Sequence, residues 1–234
     1  MSAQTLLINR EDFRDVKTVD LPKAPLADGH VRMDIGPFAI TANNITYLVT
    51  GDLIGYWNFF DPKAYGIDAP GYGRMPVWGY GLVRESKCAG VKAGTRIYGF
   101  FPLASQIDLK PGKISAQGFM DFADHRRALH PVYNAYIFTA ADPSFAPALN
   151  DLQPILRPLF TTSFLIDDFL ADEEVFGAEQ VLLLSASSKT ALGTAYCLKQ
   201  RGGVKVSGLT SEANLEFVKS TGFYDEVYTY DNIT

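Results

Sequence analysis

Apolar residues along this chain follow two spacings, and the change from one to the other divides it. Up to about Lys113 they come in short runs. Thr5-Leu6-Leu7-Ile8-Asn9 reads as a first strand, and Val31-Arg32-Met33-Asp34-Ile35 alternates apolar and polar as a half-buried strand does. Val77 to Val83, Arg96 to Phe100 and Ser105 to Leu109 predict further strands, punctuated by Gly90, Gly94 and Pro111-Gly112. Ile40 to Val49 predicts a short helix closed by Gly51. Several short strands separated by turn residues predict a small barrel. The stretch from Asp52 to Tyr72 is dense in aromatics, glycine and proline, which predicts a loop that covers a core or lines a pocket. Ile114 to Ala148 shows no period and reads as irregular.

Beyond Asp151 the spacing turns helical. Asp151 to Ala171 predicts a helix with Phe160, Phe164, Ile166 and Phe169 among its apolar positions. Glu179 to Leu184 is then an apolar run of strand length, Ser185 to Thr190 a turn of small polar residues, and Ala191 to Arg201 a helix with Leu192, Ala195 and Leu198 at helical spacing. Gly202-Gly203 stops it, and Val204 and Val206 begin a second strand. Ser211 can cap a helix from Glu212 to Ser220, Gly222 fits its end, and Glu226 to Tyr230 reads as a third strand. The order is β-α-β-α-β, half of a doubly wound nucleotide-binding fold. Its polar turn lies at the carboxyl end of the first strand, where parallel sheets bind ligands and a helix N-terminus offers unpaired N–H groups to an anion. The cluster of Pro143, Pro147 and Asn150 places the boundary between a barrel domain, residues 1–150, and a sheet domain, residues 151–234.

Composition narrows the function. The 234 residues are 47% hydrophobic and 20% charged, with a formal net charge of −5, which argues against a nucleic-acid-binding surface. Cys88 and Cys197 are the only cysteines, so a disulfide framework or a multi-cysteine metal site is excluded. The opening Met1-Ser2-Ala3-Gln4 lacks the features of a signal peptide, and no apolar run is long enough to span a bilayer. The expectation is a cytoplasmic protein with a small-molecule substrate and neither nucleic-acid nor membrane partners.

Taken in order, several segments resemble the medium-chain dehydrogenase/reductase superfamily, in its zinc-free quinone-reductase-like branch, and within it a domain-of-unknown-function family. Leu26 to Met33 is similar to the branch's early strand, Pro76 to Val83 to its proline-and-glycine strand, and Gly90 to Gly99 to its "gly-val-x-x-gly-asp-arg-val" turn, with Thr95 in place of Asp. The resemblance implies a GroES-like β-barrel followed by a partial Rossmann-type parallel sheet. It implies zinc-independent, NAD(P)H-dependent reduction of a quinone, enone or related carbonyl-conjugated compound. Leu159 to Ser163 is similar to the helix carrying a nicotinamide-facing Thr, here Thr162, and Thr210, Ser211 and Tyr230 fall where the branch contacts the adenosine end. Tyr47 and Gly51 keep the spacing of a segment that lines the substrate pocket, with Asn43 or Asn44 as its amide; hydroxyl and amide can donate to a carbonyl oxygen that gains charge.

The departures count as well. The family's turn is "gly-ala-ser-gly-gly-val-gly", whereas Ser185-Ala186-Ser187-Ser188-Lys189-Thr190-Ala191 contains no glycine. Glycine there lets the backbone approach a pyrophosphate. Ser187, Ser188, Lys189 and Thr190 therefore become the cofactor-binding expectation, and a non-catalytic or regulatory relative the alternative. Lys189-Thr190 lacks the glycines of a P-loop. Thr41-Ala42-Asn43-Asn44 and Trp78-Gly79-Tyr80 stand where the zinc branch carries its ligands, so no catalytic zinc is expected. No carboxylate occurs from Gly208 to Ser211, where an NAD enzyme holds the ribose hydroxyls, and this favours NADPH. His125 reads as part of a solvated helix face, and His130 as structural, with a proton donor near the pocket as its alternative. With one nucleotide half and an open sheet edge, the chain is expected not to turn over alone, and to pair through that edge, as a homo-oligomer for example, or to be a fragment of a longer protein.

Overall fold

The computed structural model describes residues 2–232. It divides into two compact units between Ile155 and Leu156. The first contains β1 (Gln4–Asn9), β2 (Val16–Asp20), β3 (Val31–Ala39), α1 (Asn43–Val49), β4 (Tyr72–Gly73), β5 (Pro76–Ser86), β6 (Arg96–Pro102), β7 (Gln106–Leu109), β8 (Pro111–Gly112), β9 (Gly118–Asp121) and β10 (Ala135–Phe138). Seven strands form a nearly closed antiparallel barrel in the order β7-β3-β5-β6-β10-β9-β8, and β2-β1-β4 form a smaller sheet.

The alternation read from the sequence explains how β3 sits. Val31 and Met33 are buried, whereas Asp34 is partly exposed and pairs with Arg84 of β5 at 2.9 Å. Two register shifts along β3–β5 bend that pair, as bulges do in a curling sheet. The aromatic stretch after α1 turns inward. Tyr56, Trp57, Phe59 and Phe60 occupy a 3₁₀ turn and are buried, and all but Trp57 join the barrel core with Val77, Phe100 and Phe101. Trp57 is held between Gly51 and Gly73. A Cβ on Gly51 would lie 2.2 Å from the indole, and one on Gly73 2.3 Å from it. That contact alone accounts for glycine four residues after Tyr47.

The stretch from Ile114 to Ala148 corrects the irregular reading, because it contains β9 and β10. A buried polar centre organises it. The Arg126 guanidinium donates to Asp121 Oδ2 (2.8 Å), Asn134 Oδ1 (2.8 Å), the Tyr136 hydroxyl (2.9 Å) and the Tyr133 carbonyl (2.7 Å). These partners come from both sides of a loop, so no periodicity signals them. The solvated reading of His125 is corrected too. Its ring is half-buried, 5.5 Å from the Tyr65 ring and with Nε2 3.3 Å from the Phe59 carbonyl. Burial lowers its pKa below the usual histidine range.

α2 (Gln153–Asp172) starts in the first unit and continues into the second, which adds β11 (Gln180–Leu183), α3 (Lys189–Arg201), β12 (Lys205–Thr210), α4 (Leu215–Ser220) and β13 (Glu226–Thr229). The strands are parallel in the order β11-β12-β13. Ala186, Ala195, Leu198, Val206, Val218 and Tyr224 form a small separate core. Polar contacts join α2 to α3. Asp167, 6% exposed at its side chain, accepts from Arg201 at 2.6 and 3.1 Å, and Ser163 donates to the Thr190 carbonyl at 2.8 Å. Ser163 comes this close because residue 193 is glycine; a Cβ there would stand 2.5 Å from the serine hydroxyl.

Candidate functional site

The turn between β11 and α3 is built from small residues in a conformation that favours glycine. Ser185, where the resembled turn begins with glycine, has φ +49°. Its N–H donates to the Tyr230 hydroxyl at 3.0 Å, so β13 brings Tyr230 onto the start of the turn. Ala186 is fully buried. Its N–H donates to the Leu209 carbonyl and its own carbonyl accepts from the Tyr224 hydroxyl at 2.8 Å. The Ser188 N–H returns to the Ser185 carbonyl at 2.7 Å, and the Ser188 hydroxyl caps α3 by accepting from the Ala191 N–H at 3.2 Å.

This arrangement leaves three N–H groups over. No described residue accepts from the backbone N–H of Ser187, Lys189 or Thr190. They cluster at the N-terminus of a 13-residue helix, where the helix dipole also favours negative charge. The exposed Lys189 side chain makes no ion pair with a described residue. Such a cluster of donors can hold a phosphate without a glycine. At the end of β12, Thr210 is buried, whereas Ser211 is exposed and its hydroxyl accepts from Asn214 Nδ2 at 3.1 Å. Thr162 lies on the exposed face of α2 with its hydroxyl bonded back to the Pro158 carbonyl at 3.2 Å. Ser163, one residue on, is the one that reaches the turn.

The barrel gathers a second cluster. α1 buries Tyr47 and Asn44. The Asn44 amide accepts from the Thr41 N–H (2.6 Å) and donates to the Pro76 carbonyl (3.0 Å), fixing the start of α1 against β5. Tyr47 accepts at 3.1 Å from the indole N–H of Trp78, a residue that no sequence pattern singles out. Burial pushes the Tyr47 hydroxyl up to about 12, against the opposing effects of Trp78 and Asn43, so it is protonated at neutral pH. No described residue accepts its proton. Tyr56 lies 4.7 Å from Tyr47 between ring centroids, and its hydroxyl shares a 2.9 Å hydrogen bond with that of Tyr133. Tyr47 is therefore a donor held from behind by an indole. His130 is exposed and caps a short turn, accepting from the Val132 N–H at 3.4 Å. Among the described residues no group of three or more His, Cys, Asp or Glu could hold a metal, and no helix is long and apolar enough to cross a membrane.

A nearly closed antiparallel barrel followed by a parallel β-α-β-α-β sheet with an anion-receptive turn after its first strand is the fold of the medium-chain dehydrogenase/reductase superfamily. Over residues 38–234 the chain belongs to the family described as a protein of unknown function, DUF2855. Among solved structures it is similar to a human synaptic vesicle membrane protein VAT-1 homolog-like protein, with 12% identity and a TM-score of 0.55 over 99% of this chain and 62% of that one. The quinone oxidoreductase from Coxiella burnetii is similar at 15% identity and a TM-score of 0.52, over 99% and 63%. TarJ from S. aureus in complex with NADPH is similar at 9% identity and a TM-score of 0.58, over 100% and 61%. The chain thus spans about 60% of the length of these structures. No curated protein matches it.

Proposed function

We propose that this chain binds NADPH through the β11–α3 turn and serves zinc-independent reduction of a quinone, enone or related carbonyl compound. The observation that carries the proposal is the trio of unpartnered N–H groups at Ser187, Lys189 and Thr190 beside the Lys189 ammonium. The residues fit the cofactor. Those N–H groups would take the pyrophosphate, and the Ser188 side chain, already spent as the cap, keeps the helix start in place. Ser211 and Asn214 offer donors without a carboxylate between Gly208 and Ser211, which suits a 2′-phosphate. Buried Thr210 supports that corner from below, and the Tyr230 ring, held over the turn by Ser185, offers the adenine an exposed face. Bound NADPH supplies the hydride.

In the barrel, the protonated Tyr47 hydroxyl donates to a substrate carbonyl oxygen as charge develops on it, with the Trp78 N–H strengthening it as a donor. Half-buried Asn43 adds a second polar group beside Tyr47, whereas Asn44 acts by placing α1. Similarity in fold to a quinone oxidoreductase and to a protein in complex with NADPH supports the reading. The absence of glycine from the turn supports a second reading, a non-catalytic relative that keeps the fold. Fluorescence titration with both dinucleotides decides. NADPH binding at least about tenfold tighter than NADH is expected from charged hydrogen bonds to the extra phosphate. Equal affinities would refute the 2′-phosphate assignment, and failure of both to bind would leave the non-catalytic relative.

A further inference from the structure

The barrel contains a second arginine as buried as Arg126 but partnered very differently. Arg74 is 0% exposed, and only its Nε has a hydrogen bond, to the Thr5 hydroxyl at 3.0 Å. Nη1 and Nη2 have no hydrogen-bond partner among the described residues. The Tyr65 ring stacks on the guanidinium at 4.7 Å, and the Tyr65 hydroxyl is likewise buried without a partner. Burial lowers the Arg74 pKa to about 10, which leaves the side chain a cation at neutral pH. A buried cation with two idle donor groups is costly unless an acceptor meets it.

Arg74 and Tyr65 both line a cleft of about 480 Å³, within the size range of small-molecule sites. The cleft also takes in Arg32, Lys110 and half-buried His125. Its two carboxylates are engaged: Asp108 accepts from Arg32 at 2.8 Å through both oxygens, and Asp124 accepts from Arg127 at 3.0 Å. Lys110 Nζ also lies 4.0 Å from Asp124, so the lining sets Arg32, Lys110 and Arg74 against two carboxylates and leaves Arg74 as the cation without a carboxylate partner among the described residues. The rest of its wall is apolar, with Leu21, Pro22, Pro25 and Ile107 among its residues.

We propose that this cleft binds a small organic acid, its carboxylate accepting from the Arg74 Nη groups and the Tyr65 hydroxyl and its apolar body lying along the Leu21–Pro25 wall. A planar guanidinium fork suits a carboxylate. Because the Tyr65 ring covers the guanidinium in the unliganded protein, entry of the acid swings that ring aside. The site is independent of the nucleotide turn and of Tyr47.

Calorimetric titration with octanoate, 1-octanol and inorganic phosphate tests the proposal. Octanoate is expected to bind saturably, at least about tenfold more tightly than either comparator, since only it has both a charged head and an apolar body. Arg74→Met, which keeps the bulk and removes the charge, is expected to weaken octanoate by about tenfold or more. Tyr65→Phe keeps the ring over Arg74 and removes only the hydroxyl, with an expected loss of about threefold to tenfold. Equal binding of octanoate and 1-octanol, phosphate binding as tight as octanoate, or no saturation with octanoate would overturn the proposal. So would a folded Arg74→Met protein that titrates like the wild type. If Arg74→Met does not fold, Tyr65→Phe and the comparison of octanoate with 1-octanol on the wild type decide.

Discussion

The Trp57 site of the barrel and the β11–α3 turn of the second unit accommodate a crowded backbone in opposite ways. In the barrel, glycine makes room: Gly51 and Gly73 admit the Trp57 indole from both sides. The β11–α3 turn, proposed to receive a phosphate, has no glycine, and Ser185 instead takes φ +49°. The two units also treat buried charge differently. Arg126 and Asp121 in the barrel are both 0% exposed at their side chains and sit in a full network, whereas Arg201 pairs with buried Asp167 while itself 43% exposed. The Arg126 centre therefore depends on completeness, because each of its buried groups has few alternatives to its partner. At the Arg201–Asp167 pair the guanidinium reaches solvent, so removal of its partner is expected to cost less.

Removing charges tests this contrast most strongly. Asp121→Ala is expected to destabilise the barrel by about 3–5 kcal/mol, because it leaves the Arg126 cation buried without its counter-charge. Asp167→Ala is expected to cost only about 1–2 kcal/mol, because Arg201 can turn to solvent. Chemical denaturation of both variants measures the difference, and equal losses would break the contrast.

Glycine exchanges come next in size. Gly73→Ala puts a methyl where the indole lies 2.3 Å away and is expected to cost about 3 kcal/mol. Ser185→Gly goes the other way. It relieves a left-handed serine and is expected to gain up to about 1 kcal/mol, read from the midpoint of thermal unfolding. A loss of stability in Ser185→Gly would show that the serine side chain, not the backbone, holds the turn.

The smallest effect is a pH dependence confined to the barrel. Burial sets the folded pKa of His125 below the ordinary histidine value of 6.5, so the unfolded chain takes up the proton first. Stability is then full above about 6.5 and falls as the pH drops through that value toward the folded pKa. Comparison of denaturation midpoints at about pH 7.5 and 5.5 should show this fall, shallower in His125→Gln. A slope unchanged by the substitution would place the proton elsewhere.

Much of the fold could be read in the sequence wherever local spacing carries it. The alternation from Val31 to Ile35 and the helical spacing from Leu192 to Leu198 placed β3 and α3 within a few residues. β9 and β10 were hidden because they are held by the non-local partners of Arg126, and β2 because its pattern is exposed almost throughout. At the turn, the sequence pointed to Ser187 through Thr190. It gave no sign that Ser188 is consumed as a cap or that Ser185 carries the strained φ, since both depend on backbone geometry. Trp78 was missed because its indole meets Tyr47 only once β5 lies beside α1. Thr162 rests on its place in a resembled helix, and beside it Ser163 reaches the turn through a contact that depends on Gly193 and that no spacing signals.

The central claim is that a turn without glycine still receives a dinucleotide phosphate. It is tested most directly by titrating the wild type and Lys189→Ala with NADPH and following cofactor fluorescence. The account predicts saturable binding by the wild type and a loss of about tenfold in Lys189→Ala, with the fold unchanged, because a solvent-exposed ammonium is removed while the three N–H groups remain. No saturation with the wild type up to about millimolar cofactor, or identical curves for the two proteins, would contradict it.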